Sequence, residues 1–336
     1  MKKKNKRILI VRPDRIGDVV LSTPLPREIK KKFPDGYVAV MVREYAKDVY
    51  LNNPFIDEII IYDANNPFLK TVKTIRKYGF THALMLLPDE RINYLLFFAG
   101  IPCRVGVGHK LYQFLAFARY VDRNKYNPLR HEADYSLDLA RKIGVDSSDY
   151  TPEIYLSEEE KKISEIRRKE LLNRKKFLIG INSTSGGSAP NWNAERYRKL
   201  IELLLSDDNI RVAVTDLEPP ESLSGIDSVV YPNVNSTLRN SIINFSALDL
   251  LVSASTGPMH ICAALKVKTV SLFCPMTACS PKLWGPLGNY NKIILPEENY
   301  CKYKCPGDPK KCEYLDSELV TPERVFEEIS GMLNKE

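Results

Sequence analysis

The stretch Ile8-Leu9-Ile10-Val11-Arg12-Pro13-Asp14-Arg15-Ile16-Gly17-Asp18-Val19-Val20 passes from a short apolar run through a turn into a helical pattern. Four consecutive aliphatic residues, bounded by charge, read as a buried strand. The pattern after the turn predicts a helix to about Phe33, stopped by Pro34-Asp35-Gly36. Pro24 and Pro26 interrupt it: either the helix kinks there, or Thr23 caps a second helix with Pro24 in its first turn. Working outward, residues 37–42, 58–62 and 82–87 read as strands, with a helix near 68–78 before the last of them. The second half repeats the scheme, with strands at 177–182, 210–215, 250–253 and 269–273 and helices at 194–205, 236–246 and 258–265. Strands alternating with helices of this length build a parallel sheet from βαβ units. The fold class is therefore α/β, with two Rossmann-like, doubly wound domains. The charged stretch 157–176 separates them as a helix plus linker, placing the domains at residues 1–165 and 166–336. In such sheets ligands bind just beyond the carboxyl ends of the strands.

Composition agrees with this reading. A chain of 336 residues buries two ordinary cores, and 44% hydrophobic with 27% charged residues excludes a disordered or fibrous chain. No apolar run approaches the roughly 20 residues that span a bilayer. Residues 1–7 are basic, but the apolar run 8–11 ends at Arg12, short of the roughly 7–15 residues of a secretory signal. A cytoplasmic protein is expected. The net charge of +7 is uneven: residues 1–150 hold 26 Lys and Arg against 17 Asp and Glu, and residues 151–336 hold 23 against 25. The first half therefore suits an anionic partner, unless its lysines are ordinary solvated surface.

Three segments at strand ends carry candidate chemistry. In the first, Gly17 permits close approach of a ligand to the backbone, and Asp18 follows at the helix start. A carboxylate there is placed to take the proton of an attacking hydroxyl; Asp also suits a helix cap. The second, Asn182-Ser183-Thr184-Ser185-Gly186-Gly187-Ser188, offers N–H and O–H donors suited to phosphate oxygens, or is an ordinary polar loop. The third, Ser253-Ala254-Ser255-Thr256-Gly257-Pro258-Met259-His260, starts a helix whose free N–H groups and positive dipole end favour a diphosphate. His260 lies in its first turn, as hydrogen-bond donor or as a packed histidine. None of these is a G-x-G-x-x-G fingerprint or a P-loop.

Taken in order, R-x-D-x-I-G-D, the Ser/Thr/Gly loop before Trp192, S-T-G-P-M-H, Trp284-Gly285-Pro286, Cys305-Pro306 and Thr321-Pro322-Glu323-Arg324-Val325 resemble the ADP-heptose–lipopolysaccharide heptosyltransferases, glycosyltransferase family 9. Ala99-Gly100-Ile101-Pro102, Arg104-Val105-Gly106 and His131 before Gly144 fit as intermediate landmarks, so the likeness spans nearly the whole chain. The resemblance implies a GT-B fold, with two Rossmann-like domains facing a central cleft and the acceptor bound mainly by the first. It implies inverting transfer of heptose from ADP-heptose to a lipid A-linked inner-core acceptor, without cofactor or obligatory metal. It makes Asp18 the catalytic base, with Ser183, Thr184, Ser185, Gly186, Thr256, Gly257 and His260 on the donor diphosphate and Ser255 and Glu218 near the donor sugar or adenosine. Arg15, Arg91, Arg104, Arg119 and Arg123 become candidates for an anionic glycolipid acceptor. The aromatic-rich stretch 112–120 suits peripheral contact with the inner membrane, or a buried helix with basic edges.

Three departures bear on the donor. The resemblance calls for a lysine where Pro190 stands, an aspartate where Ser255 stands, and a Gly-rich turn with a full helix after Thr215, where residues 216–226 are short and contain Pro219-Pro220. A related transferase with another nucleotide sugar or a protein acceptor, and a non-catalytic saccharide-binding homologue, remain alternatives. Nucleic-acid binding is not expected, because the basic residues are dispersed and no recognition module occurs. Of seven cysteines, Cys301, Cys305 and Cys312 form a late cluster that Cys274 or Cys279 would complete to four; metal binding and reduced thiols both stay open.

Overall fold

The computed structural model describes residues 5–187 and 189–334; residues 1–4 of the basic start and Ser188 of the donor loop lie outside the described residues. The chain forms two compact units, Met1–Tyr155 and Leu156–Glu336.

The first unit holds six strands: β1 (Arg7–Val11), β2 (Tyr37–Val42), β3 (Glu58–Ile61), β4 (His82–Met85), β5 (Cys103–Val107) and β6 (Arg119–Val121). They lie in the order β3-β2-β1-β4-β5-β6, all parallel. Residues 8–11 of β1 are fully buried, as expected of a central strand covered on both faces. Leu9 and Val11 join Ala39, Met41, Ala83 and Met85 in one layer, closed by Val72, Ile75, Ile92 and Leu95 from the helices Phe68–Lys77 and Glu90–Phe98. Each large aliphatic side chain buried in this way contributes about 1.5–3 kcal/mol. The proline-interrupted helix is two helices, Ile16–Leu21 and Pro24–Lys32, with Thr23 in the cap position and Pro24 first in the new turn.

The second unit repeats the plan with β7 (Phe177–Asn182), β8 (Ile210–Val214), β9 (Val229–Val230), β10 (Leu250–Ala254), β11 (Lys268–Leu272) and β12 (Asn291–Ile294). Their order is β12-β11-β10-β7-β8-β9, again all parallel. Ile179, Ile181, Val212, Val252 and Val270 meet Leu200, Ile201 and Leu204 of the helix Ala194–Leu205 and Val325 and Ile329 of the helix Pro322–Leu333. The helix Glu158–Leu172 begins at Ser157, which forms a capping box with Glu160. It docks on the second unit through Arg168–Asp249 at 2.8 Å and Arg239–Glu160 at 2.6 Å. It therefore goes whole with that unit, and the chain divides before it and not at residue 165. Among the described residues no helix is long and apolar enough to cross a membrane.

In each sheet the chain runs outward from one central strand, returns, and continues on its other side. The reversal falls between β1 and β4 in the first sheet and between β7 and β10 in the second. Loops leaving neighbouring strands there diverge and leave a crevice at the carboxyl edge. Asp18 follows β1, the Ser/Thr loop follows β7, and Thr256 follows β10.

Candidate active site

In the first unit, Asp18 lies in the first turn of the helix Ile16–Leu21, but the capping position is Arg15. The Asp18 carboxylate instead accepts a 2.5 Å hydrogen bond from Arg12 Nη2. Arg12 is buried; its Nη1 donates to the Leu86 carbonyl at 2.9 Å, which ties the end of β1 to the chain leaving β4. Its Nη2 also lies 3.4 Å from buried Glu132, which accepts two bonds from Arg123 at 2.7 and 2.9 Å. Asp18, Arg12, Glu132 and Arg123 thus form one alternating charge chain. Burial pushes the Asp18 carboxyl above the ordinary aspartate range, Arg12 opposes this, and the charges of Asp14 and Glu132 add to the rise. A raised but ionisable carboxylate suits a proton acceptor.

In the second unit, Asn182 at the end of β7 is the register partner of Ser253 on β10. The loops after these strands therefore leave the sheet side by side. In the first of them, buried Asp216 organises the chain. Its Oδ2 accepts from Ser183 N and Oγ, both at 2.9 Å, and its Oδ1 from Thr184 N at 2.8 Å and Oγ1 at 2.6 Å. Ser183 and Thr184 were expected to offer those donors to phosphate; here an internal carboxylate takes all four. Gly186 and Gly187 follow with φ of 54° and 66°, a conformation that glycine adopts without strain. The Lys310 side chain lies against Gly187, its Cδ 4.0 Å from where a Cβ there would stand.

In the neighbouring loop, Thr256 occupies the cap position of the helix Gly257–Ala264, with Pro258 in its first turn. Thr256 is 6% exposed, and its hydroxyl has no hydrogen-bond partner among the described residues. A buried hydroxyl left unpaired at a helix N-terminus is an unmet donor, and an anion held by the first-turn N–H groups would satisfy it. His260 is buried in the same first turn, and Ser255 is half-buried just before the cap. Glu218 is exposed. The chain after β8 makes only the short 3-10 turn Glu221–Leu223 in its first stretch, because Pro219-Pro220 remove two backbone donors.

The five candidate acceptor arginines part company. Arg15 and Arg119 are exposed. Arg91 donates to the Asn66 carbonyl at 2.8 Å and lies over the Phe68 ring. Arg104 is buried and donates to the carbonyls of Ile101 and Ala116, so it ties loops together. Arg123 is held by Glu132. Cys274 and Cys301 place their Sγ atoms 4.0 Å apart, all seven cysteines are free thiols, and among the described residues no three potential ligands converge on a metal position.

Sequence reasoning assigned no role to Arg12, Glu132, Asp216 or Lys310. Arg12 and Asp216 each stand just past a strand end, where a charged residue is a signal. Glu132 and Lys310 act from distant segments that only the fold brings near.

Residues 68–312 match the model of glycosyltransferase family 9 (heptosyltransferase). The lipopolysaccharide heptosyltransferase 2 of Escherichia coli K12 is 25% identical over 98% of this chain and 99% of its own. The crystal structure of a family 9 glycosyltransferase from Veillonella parvula has a TM-score of 0.80 at 21% identity, covering 100% of this chain and 99% of that one. The ADP-heptose lipopolysaccharide heptosyltransferase II of E. coli has a TM-score of 0.76 at 22% identity, covering 98% and 99%. The fold shared with these structures is GT-B, and with a family match over most of its length the chain belongs to glycosyltransferase family 9, the heptosyltransferases.

Proposed function

We propose that this glycosyltransferase moves heptose from ADP-heptose to an anionic, lipid A-linked acceptor of the lipopolysaccharide inner core, at the cytoplasmic face of the inner membrane. The observation that carries the diphosphate assignment is the buried Thr256 hydroxyl, without a partner among the described residues, at the start of the helix Gly257–Ala264. A diphosphate supplies the acceptor atoms that this hydroxyl and the neighbouring N–H groups lack. Gly257 follows β10, and the half-buried Ser185 and the glycines 186 and 187 follow the adjacent strand β7, with His260 in the helix's first turn. Lys310 stands beside that loop, where it supplies the positive charge that Pro190 does not.

On the acceptor side Asp18 is the general base. The acceptor hydroxyl attacks the anomeric carbon of the donor sugar as its bond to the diphosphate oxygen breaks. The hydroxyl proton passes to Asp18, and the configuration inverts. Arg15 and Arg119, both exposed, face anionic groups of the acceptor. Another nucleotide sugar keeps Ser255 and the short, proline-containing segment after Thr215 in its favour, and a donor panel decides between it and ADP-heptose; a non-catalytic saccharide-binding protein leaves Asp18 without a role.

Thermal unfolding with a panel of ADP-heptose, ADP-glucose, UDP-glucose, GDP-mannose, ADP and UDP tests the donor. A ligand present at 100 times its Kd stabilises the folded state by about 2.7 kcal/mol. ADP and ADP-heptose are expected to raise the midpoint, and Gly257→Val to abolish the rise. A rise with UDP compounds alone would remove ADP-heptose as the donor.

A further inference from the structure

The short helix Leu111–Leu115 is built inside out. Its one polar residue, Gln113, is 2% exposed, whereas Leu111, Phe114, Leu115 and the following Phe117 are 74%, 77%, 55% and 82% exposed. The inward face is fixed by polar ties. Gln113 Nε2 donates to the Val107 carbonyl at 3.1 Å, and its Oε1 accepts from Lys110 N at 3.1 Å. Asn93 donates to the Tyr112 carbonyl at 2.9 Å, and buried Arg104 to that of Ala116 at 2.5 Å. Gly106 makes room for the arrangement: a Cβ there would stand 2.6 Å from Gln113 Nε2. Phe117 then takes a φ of 52°, a left-handed conformation unfavourable for a bulky side chain, and its ring stays in solvent. A surface helix normally turns its apolar side inward. Here the structure pins the polar side down, and strain is tolerated at the residue that extends the apolar face.

The charge around this face selects its partner. From residue 89 to residue 122 the chain contains Arg91, Arg104, Lys110 and Arg119, and its acidic residues stand at the two ends, Asp89 and Glu90 at the start of the helix Glu90–Phe98 and Asp122 3.3 Å from His109. Lys110 and Arg119, both exposed, stand at the two ends of the apolar segment. A second copy docked on the same face would bring like charges together, whereas anionic headgroups above acyl chains complement both the rim and the rings. We infer that residues 111–117 are an interfacial anchor, inserting Leu111, Phe114, Leu115 and Phe117 into an anionic phospholipid bilayer with Lys110 and Arg119 at the headgroup phosphates. The inference rests on the proposed lipid-linked acceptor for its biological setting, and it names the element that meets the membrane.

The test is co-sedimentation of the full chain with vesicles of phosphatidylethanolamine and phosphatidylglycerol, and with phosphatidylcholine alone. Binding to the anionic vesicles is expected to be about tenfold or more stronger. Phe114→Ser with Phe117→Ser should weaken it about tenfold or more while the thermal midpoint holds, since exposed side chains support little of the fold. As a second reading, Phe114→Trp should give an indole quenched by lipids brominated on their acyl chains. Wild-type binding by the double serine variant, or an unquenched Phe114→Trp indole on bound protein, overturns the anchor. So does a wild-type dimer in sedimentation that the serine changes dissociate, because a second copy would then cover the face. Transfer to an acceptor oligosaccharide without acyl chains separates the two readings. Its failure with vesicle binding intact removes the proposed inner-core acceptor and leaves the anchor standing; its success without vesicle binding does the reverse.

Discussion

Arg12 and Asp18 are joined by a 2.5 Å hydrogen bond across the turn that leaves β1, and the arginine is the charge that limits how far burial raises the Asp18 carboxyl. A base must be ionised to act, so activity falls as pH drops through the Asp18 pKa. Arg12→Met removes the opposing charge and leaves Asp14 and Glu132 to push the carboxyl higher still. The acid limb of the kcat/KM profile is therefore expected to move to higher pH in Arg12→Met. An unmoved limb would assign the proton acceptor to another residue.

Asp216 takes both the N–H and the hydroxyl of Ser183 and of Thr184. Asp216→Ala leaves these groups without their shared acceptor, and hydrogen bonds to a charged group contribute about 1.5–3 kcal/mol each when buried. A loss of several kcal/mol in denaturant unfolding, together with weaker ADP binding, is the expected outcome. Unchanged stability would mean that the loop holds its shape without Asp216.

Lys310 is expected to act on the leaving diphosphate. Lys310→Ala should lower kcat by about ten- to a hundredfold, at the low end for a group that is exposed to solvent. Steady-state kinetics at saturating donor checks this. Wild-type turnover would leave the Pro190 position uncompensated.

The sheets were legible because their central strands are continuous aliphatic runs bounded by breakers. The strand Phe177–Asn182 and the helix Ala194–Leu205 fall where the pattern puts them. The last two strands of the first sheet were not: β5, between β4 and β6, reads Cys-Arg-Val-Gly-Val, and the edge strand β6 is three residues long, so neither carries a hydrophobic signal. For the site, position after a strand singled out Asp18, the Ser/Thr loop and Thr256. What those groups bond to was hidden, because Asp216 meets Ser183 and Thr184 from more than thirty residues away. Arg104 and Arg123 looked like surface cations for the same reason; a buried carbonyl pair and Glu132 claim them only after folding.

The exposed arginines give a salt prediction. Surface charges are screened over about 8 Å at physiological ionic strength, whereas a diphosphate on backbone donors is shielded less by added salt. Raising salt should therefore raise the acceptor KM well before the donor KM, and Arg15→Gln with Arg119→Gln should reproduce the effect at low salt. Arg123→Gln is a different experiment, since it strips buried Glu132 of a bidentate partner and should destabilise the fold. Equal responses of both KM values would mark the basic face as ordinary solvated surface.

The most direct measurement is transfer from saturating ADP-heptose by the wild type and by Asp18→Asn, with ADP affinity determined in parallel. Loss of a general base typically lowers the rate about 10²–10⁴-fold, and Asp18 and Thr256 belong to different units. A fall of that size in kcat, with ADP affinity nearly unchanged, is the expected result. Near wild-type turnover in a correctly folded Asp18→Asn protein would contradict it, leaving Asp18 as a partner for Arg12 and nothing more.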